Sequence, residues 1–413
     1  MKILVITPNY PHAGFPFSGV FSEKCVRALR ELCDGVEVLA PRPYVPPFLA
    51  FRQRWKRYSR IAGLEKRNGI SVHRPPVPQI PGVGGAFWYD LGAYLFCRNR
   101  ARKLHREKRF DAIVSFDLLG AGGLAWRTGK DLGVPSCGWA FGSDVRVSVS
   151  SSYAMSVTRA VRNLDLVFYQ SAELLGLAAQ LMNESPEKMS SAKHVVLAHG
   201  IPIPRSLPGP IRREIIRKSW GVSEDQLVVL CLGRITRQKG VTELLDAASY
   251  ALSVNSGLIF ILVGSLAAFD ESEIARRRVE ADAALKGRVR ILPACTPDEI
   301  WDVLCGADIF AFTSHNEGMP NSLLEAMAAG LPSVAFAIPA VEELDGGTSS
   351  LIKVPPFDSR QFGREMLLLA GSPEKRKKTG SKGRRRVLEK FHVAKNMALA
   401  VEKIERLVHR GAA

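Results

Sequence analysis

Short apolar strands alternate with helical segments twice along this 413-residue chain, once on each side of a proline-rich break. Strand-like runs in the first half lie at Lys2–Thr7, Val36–Ala40, Ile70–Arg74, Ala112–Phe116, Pro135–Trp139, Leu166–Tyr169 and His194–Ala198. Helical patterns fall between them at Val20–Leu32, Phe87–Lys108, Leu119–Gly129, Ser150–Asn163 and Ala172–Met182. Such alternation predicts a parallel sheet with helices on both faces. The break is Ile201–Pro210, with four prolines in ten residues. A second alternation follows, with strands expected at Val228–Leu232, Leu258–Val263, Val289–Leu292, Ile309–Phe312, Ser333–Phe336 and Ser350–Lys353. The expected class is therefore α/β with two Rossmann-like domains, 1–203 and 211–390, and a basic helical end at 391–413. The Pro-rich, aromatic segment 41–70 interrupts the rhythm and reads as an insertion.

Length and hydrophobic content suit two domains of ordinary size. The seven cysteines (25, 33, 97, 137, 231, 295 and 305) are scattered, and no Cys-x-x-Cys pair occurs. Neither a zinc site nor a disulfide framework is indicated, and the expectation is buried thiols in a reducing cytoplasm. The apolar start Met1–Pro8 is too short for a signal peptide and reads as a first strand. No apolar run has membrane-spanning length. Residues 1–205 carry 28 Lys/Arg against 15 Asp/Glu, and residues 206–413 carry 29 against 25. The basic excess thus belongs to the first half. Two runs stand out there, Phe48–Arg60, which interleaves aromatics with cations, and Arg98–Arg109. A basic aromatic face suits an anionic membrane surface or a phosphorylated acceptor. Nucleic acid is not expected, because no binding motif accompanies the charge.

Within Ser314–Pro332, two glutamates, Glu317 and Glu325, flank a Gly318-Met319-Pro320 turn. Pro320 suits the first position of a helix, which places Glu325 on its second turn. An open helix start offers N–H groups and a positive dipole end to a phosphate or to sugar hydroxyls. Two carboxylates beside an anion site make sense if the ligand also donates hydroxyls, as a nucleotide-sugar does. This stretch resembles the Glu-x7-Glu motif of retaining glycosyltransferases of family 4, which have the GT-B fold. The order of motifs resembles that group over the whole chain.

The resemblance implies two Rossmann-like domains with parallel sheets facing a central cleft. It implies donor binding mainly in the second domain, acceptor binding mainly in the first, and a terminal helix crossing back to the first. Gly233-Arg234 through Lys239-Gly240 resembles the family's Gly-Arg-x-x-x-x-Lys-Gly signature. Arg234 and Lys239 would neutralise the leaving phosphate. Glu317 would contact the donor sugar and Glu325 the ribose hydroxyls. Backbone groups of Gly318, Met319, Pro320, Asn321, Ser322, Leu323 and Leu324 would add sugar and phosphate contacts. Attack on the leaving-group face is the usual proposal, and a covalent Glu317 adduct is an alternative. Gly19, after the first strand, would let the backbone approach the donor phosphates.

Phe141-Gly142-Ser143-Asp144 resembles His-Gly-x-Asp with the histidine replaced. Phe141 cannot hydrogen-bond a sugar, so that contact is lost, replaced, or suits a sugar lacking the hydroxyl. Asp144 either orients acceptor or sugar, or caps the turn. His199 replaces an asparagine and reads as structural. Ala294 and the run Val263–Leu266 depart from frequent glycines. Gly120–Ala125 fits Gly-x-Gly-x-x-Ala, but no acid ends the next strand, so it reads as close helix packing. No histidine spacing suits a metal, and neither metal nor cofactor is expected. The expected partners are a nucleotide-sugar donor, a lipid-linked or glycan acceptor, and an anionic membrane surface. The start of the chain looks like bacterial cell-surface polysaccharide transferases, including the teichuronic acid type. The expected location is cytoplasmic, peripheral at the inner membrane face. A nucleotide-sugar epimerase and an inactive nucleotide-sugar-binding protein are the competing readings.

Overall fold

The computed structural model describes residues 1–14, 18–46, 48, 56, 58–78, 88–149, 151–264 and 271–411. Most of the aromatic and cationic run from Phe48 to Arg60 lies outside them. So do Ser265 and Leu266, and the ends Phe87 and Ser150 of two expected helices. The chain forms two compact units, Met1–His199 together with Val393–Ala413, and Gly200–His392.

The first unit contains β1 (Lys2–Ile6), β2 (Gly35–Leu39), β3 (Arg42–Pro43), β4 (Leu64–Arg67) and β5 (Ile70–His73). It continues with β6 (Pro76–Val77), β7 (Ala112–Phe116), β8 (Ser136–Ala140), β9 (Leu166–Tyr169) and β10 (His194–Val196). Its main sheet has the order β10-β9-β8-β7-β1-β2-β5-β4, and β3 pairs with β6 separately. All main-sheet pairs are parallel except β4 with β5. Central strands such as β7 and β8 are buried along their whole length. That is why they read as unbroken apolar runs rather than as alternation: helices cover both faces.

One face packs helices Ala93–Lys108, Gly123–Leu132, Ala154–Asn163 and Ala172–Met182, through Cys97, Leu124, Val157 and Leu174. The other face packs Val20–Leu32 against the terminal helix Val393–Gly411, through Cys25, Val26, Leu29, Met397, Ala400 and Ile404. Within the segment 41–70, expected as an insertion, β4 and the start of β5 form an edge hairpin. Asn68 (φ 49°) and Gly69 (φ 78°) turn the chain from β4 into β5. Two successive positive φ values give the turn whose twist matches a hairpin.

The second unit contains β11 (Leu227–Leu232), β12 (Leu258–Val263), β13 (Val289–Leu292), β14 (Ile309–Phe312), β15 (Ser333–Phe336) and β16 (Ile352–Val354). Its order is β13-β12-β11-β14-β15-β16, and every pair is parallel. Counted from β11, that is 3-2-1-4-5-6, the Rossmann order. The direction of strand addition reverses between β11 and β14. Ligands of open α/β sheets bind outside the carboxyl ends of strands at such a point. The chain ends in two helices, Pro373–Lys390 and Val393–Gly411. The break between them carries the contact Ile201 N–H to Phe391 O at 2.8 Å.

Candidate active site

The loops leaving β11 and β14 are stitched together at the switch point. The His315 N–H donates to Gln238 O at 3.0 Å. The Thr313 hydroxyl donates to Gly240 O at 2.9 Å and lies 3.2 Å from Lys239 O. Gly240 has φ 70°, and a Cβ there would sit 1.8 Å from Thr313 O. Only glycine fits this approach, because it tolerates positive φ and has no side chain to collide.

This stitching brings together two of the expected residues, 78 positions apart. The Lys239 ammonium pairs with Glu317 Oε1, and the Ser314 hydroxyl donates to the same oxygen at 2.8 Å. Both charged side chains are largely buried, with 25% and 14% of their surface exposed. The Lys239 charge also reaches Cys231, whose thiol burial nevertheless pushes up to about 12. Arg234 sits on the same loop and is exposed, and no side-chain hydrogen bond or ion pair engages it among the described residues. Arg237 is exposed as well.

Pro320 does not take the first helical position. The helix is Asn321–Ala328, and Pro320 precedes it with φ −80° and ψ 74°, outside helical geometry. No side chain caps that start. The Leu324 N–H closes on Pro320 O, and the Asn321 N–H turns back to Met319 O. Asn321 Oδ1 is buried without a partner, so the helix start keeps an unmatched acceptor beside its open N–H groups. Leu323 and Leu324 turn their side chains into the core and offer only backbone. Gly318, Met319 and Ser322 remain partly exposed. Glu325 falls on the second turn and is 5% exposed. Its charge adds to the effect of burial on Cys295, after β13, whose thiol is pushed up to about 11. The loops after β11, β13 and β14 thus converge on one end of this sheet.

In the first unit the expected residues Asp144, Phe141 and Gly19 lie in well-packed surroundings. Asp144 is 3% exposed, and its carboxylate accepts N–H groups from Gly142 at 2.7 Å, Leu118 at 2.8 Å and Phe141 at 3.4 Å. The carboxylate caps the turn and ties the ends of β7 and β8 together. Burial raises the pKa of Asp144, and burial together with the Asp144 charge raises that of Asp117. Phe141 packs edge-on against Phe21 (4.9 Å) and Phe116 (5.3 Å), stacks over Trp139 and lies 5.5 Å from His199. His199 is buried, and Gln170 Oε1 accepts its N–H at 2.9 Å, a structural setting. Gly19 has φ 72°, and its close approach is to the chain itself: a Cβ there would lie 2.2 Å from Asn9 O. Gly122 and Gly138 allow tight packing against Ala160 and Leu118.

Among the described residues no group of three or more His, Cys, Asp or Glu is placed to hold a metal. None of their helices is long and apolar enough to cross a membrane.

Two Rossmann-type sheets in one chain, the second with Lys239 and Glu317 paired at its switch point, are the architecture of the GT-B fold. The chain belongs to the glycosyl transferases group 1 family. The sequence profile described as "Glycosyl transferases group 1" matches residues 212–386, and "Glycosyl transferase 4-like domain" matches residues 18–190. The chain is 28% identical over 359 residues to TuaC of Bacillus subtilis (strain 168), which is named a teichuronic acid biosynthesis glycosyltransferase; 86% of each chain is covered. It is 25% identical over 243 residues to the UDP-Gal:alpha-D-GlcNAc-diphosphoundecaprenol alpha-1,3-galactosyltransferase of Escherichia coli, covering 57% of this chain and 60% of that one. The crystal structure of Anabaena Alr3699/HepE in complex with UDP and glucose superposes with a TM-score of 0.74 at 18% identity, over 98% of this chain and 99% of that one.

Proposed function

We propose that this chain is a retaining, metal-independent glycosyltransferase that moves a sugar from a nucleotide-diphosphate sugar to a lipid-linked glycan acceptor. The observation that carries it is the Lys239–Glu317 pair at the switch point, beside the open start of the helix that bears Glu325. A ligand that satisfies this site must offer an anion to Lys239 and hydroxyl donors to Glu317 and Glu325. A nucleotide-sugar offers both, with phosphates between two sets of hydroxyls. Arg234 and Lys239 face the departing diphosphate, and Glu317 the sugar.

In the reaction, the bond from the anomeric carbon to the β-phosphate oxygen breaks. A bond to the acceptor oxygen forms on the same face of the sugar. The acceptor hydroxyl proton passes to the leaving phosphate oxygen. The protein's contribution is positioning and stabilisation of charge on the leaving group. The gain in rate requires that the two cations hold the departing diphosphate more strongly than the bound donor.

The relatives named for teichuronic acid biosynthesis and for a diphosphoundecaprenol acceptor support a lipid-linked glycan. The basic first unit supports work at the inner face of the cytoplasmic membrane. The reading is tested by saturation-transfer NMR and a hydrolysis assay with UDP-, GDP- and ADP-sugars in the presence of a chelator. It expects one donor to bind and to be hydrolysed slowly, with the α-sugar released first from an α-donor. Release of the β-anomer first removes retention. Binding without turnover, with acceptor present, favours a nucleotide-sugar-binding protein.

A further inference from the structure

The first unit has a concave site beside the Gly19 loop. A cleft of ≈ 240 Å³ opens beyond the carboxyl ends of β1, β2 and β5. Tyr10 reaches it after β1, Arg42 after β2 and Arg74 after β5.

Its lining carries more donors than acceptors. Arg74 is 2% exposed, and its Nη2 donates to Pro11 O at 2.7 Å and to Glu65 Oε1 at 2.6 Å. Its Nη1 has one long contact, 3.5 Å to Tyr10 O, and its Nε is buried without a partner. Arg42 Nε is likewise buried without a partner, and no carboxylate pairs with Arg42 among the described residues. Tyr10 is 1% exposed, with the Arg74 guanidinium 5.9 Å from its ring centre, and its phenolic oxygen has no partner.

The two nearest carboxylates are already engaged, Glu65 by Arg74 and Glu23 by Arg67 and Asn68. His12, also on the lining, has a lowered pKa, first from burial and then from the Arg74 charge, so the local field is positive. Buried donors without acceptors are rare, because each loses its hydration with no return. Guanidinium groups that line one cleft and keep unpartnered N–H groups are matched by the planar or tetrahedral oxygens of an oxyanion.

We propose that this cleft binds an oxyanion, a phosphate or carboxylate carried by the acceptor, with Arg42 and Arg74 as guanidinium donors and the Tyr10 phenol as a third. The word acceptor rests on the transferase reading; the oxyanion rests on the cleft alone.

The test uses the full chain and titrates methyl phosphate, glucuronate and neutral methyl glucoside by calorimetry at constant ionic strength. Phosphatidylglycerol-containing vesicles, against pure phosphatidylcholine, form a further arm. At least one anionic probe binds and the neutral glucoside does not. Arg42→Gln weakens that binding by roughly tenfold or more, as loss of a charge-assisted bond does. Tyr10→Phe, which keeps the ring, weakens it several-fold. Arg106→Gln, on an exposed helical surface of the same unit, leaves it unchanged. Arg42 dependence with soluble anions assigns the oxyanion to the acceptor glycan, and dependence with vesicles alone assigns it to a lipid headgroup. If no anionic probe binds, or Arg42→Gln binds as the wild type does, the proposal is overturned. Nucleotide-sugar binding in the same samples separates the two readings. Anion binding without donor binding removes the transferase reading and keeps the cleft, and the reverse removes the cleft alone.

Discussion

Lys239 and Glu317 form an ion pair across the switch point between β11 and β14, with the Ser314 hydroxyl donating to the same carboxylate oxygen. The pair keeps a lysine and a glutamate in a largely buried place without leaving either charge bare. A phosphate and a sugar hydroxyl can each take over one half of it. Replacing Glu317 by Gln keeps the shape and removes the charge. The expected result is at least a tenfold loss of donor turnover. Thermal stability should fall as well, by roughly 1–3 kcal/mol, because Lys239 is left largely buried without its counter-charge. Kinetics and a melting curve on the same preparation check both halves.

Gly240 is the joint that sets this geometry. Gly240→Ala places a Cβ within 1.8 Å of the Thr313 carbonyl oxygen, at a φ of 70°. Something must move, and the expected loss is roughly 2–4 kcal/mol of stability. Donor affinity should fall with it, since the same carbonyl stretch leads to Glu317. Denaturant unfolding of the second unit's signal and a donor titration measure the two effects.

Asp144 makes the opposite prediction to a substrate-binding residue. Asp144→Ala leaves three backbone N–H groups at the ends of β7 and β8 without their acceptor. The expected cost is about 3 kcal/mol of stability in the first unit. Donor binding by the second unit should be unaffected. A loss of donor affinity with unchanged stability would contradict the capping role.

The stability of the first unit should depend on pH through His194. Its imidazole pKa is lowered to about 4, first by burial and then by Lys193, and its Nδ1 lies 3.1 Å from the Tyr169 hydroxyl. Between pH 6.5 and about 4 the unfolded chain binds the proton and the folded one does not. Stability from this group is therefore complete above pH 6.5 and falls as the pH drops towards 4. With the imidazole only partly buried, the loss at pH 5 is about 1 kcal/mol. Denaturant curves at pH 7 and 5 should show a smaller pH effect in His194→Gln than in the wild type.

Much of the fold was legible because buried parallel strands write themselves as apolar runs. The strands Leu258–Val263 and Ile309–Phe312 and the helices Val20–Leu32 and Ala172–Met182 lie where the pattern placed them. The hairpin at Leu64–His73 was missed, although Asn68-Gly69 is a strong local turn signal; the polar strand Leu64–Arg67 has no apolar run to announce it. The break between the last two helices falls at Phe391-His392, where the Ile201 N–H meets Phe391 O, beside the expected boundary at 390/391. In the site, the motif around Glu317 and Glu325 was readable, but its pairing with Lys239 is a long-range contact that no local period encodes. Pro320 fits the first helical turn by rule, yet its ψ of 74° places the helix start one residue later. Asp144 was ambiguous because a carboxylate after a strand reads the same whether it faces a ligand or the backbone. The cleft at Arg42 and Arg74 was not anticipated, since its residues follow three different strands.

The most direct test of the donor site compares donor hydrolysis by the wild type, Lys239→Ala and Glu325→Ala, each with its melting curve and its binding to the nucleotide diphosphate. The account predicts that both variants fold, bind the nucleotide more weakly and lose turnover by about a hundredfold or more, as when a transition-state charge partner is removed. Wild-type rates in both well-folded variants would contradict it and move the active site away from the β11–β14 switch point.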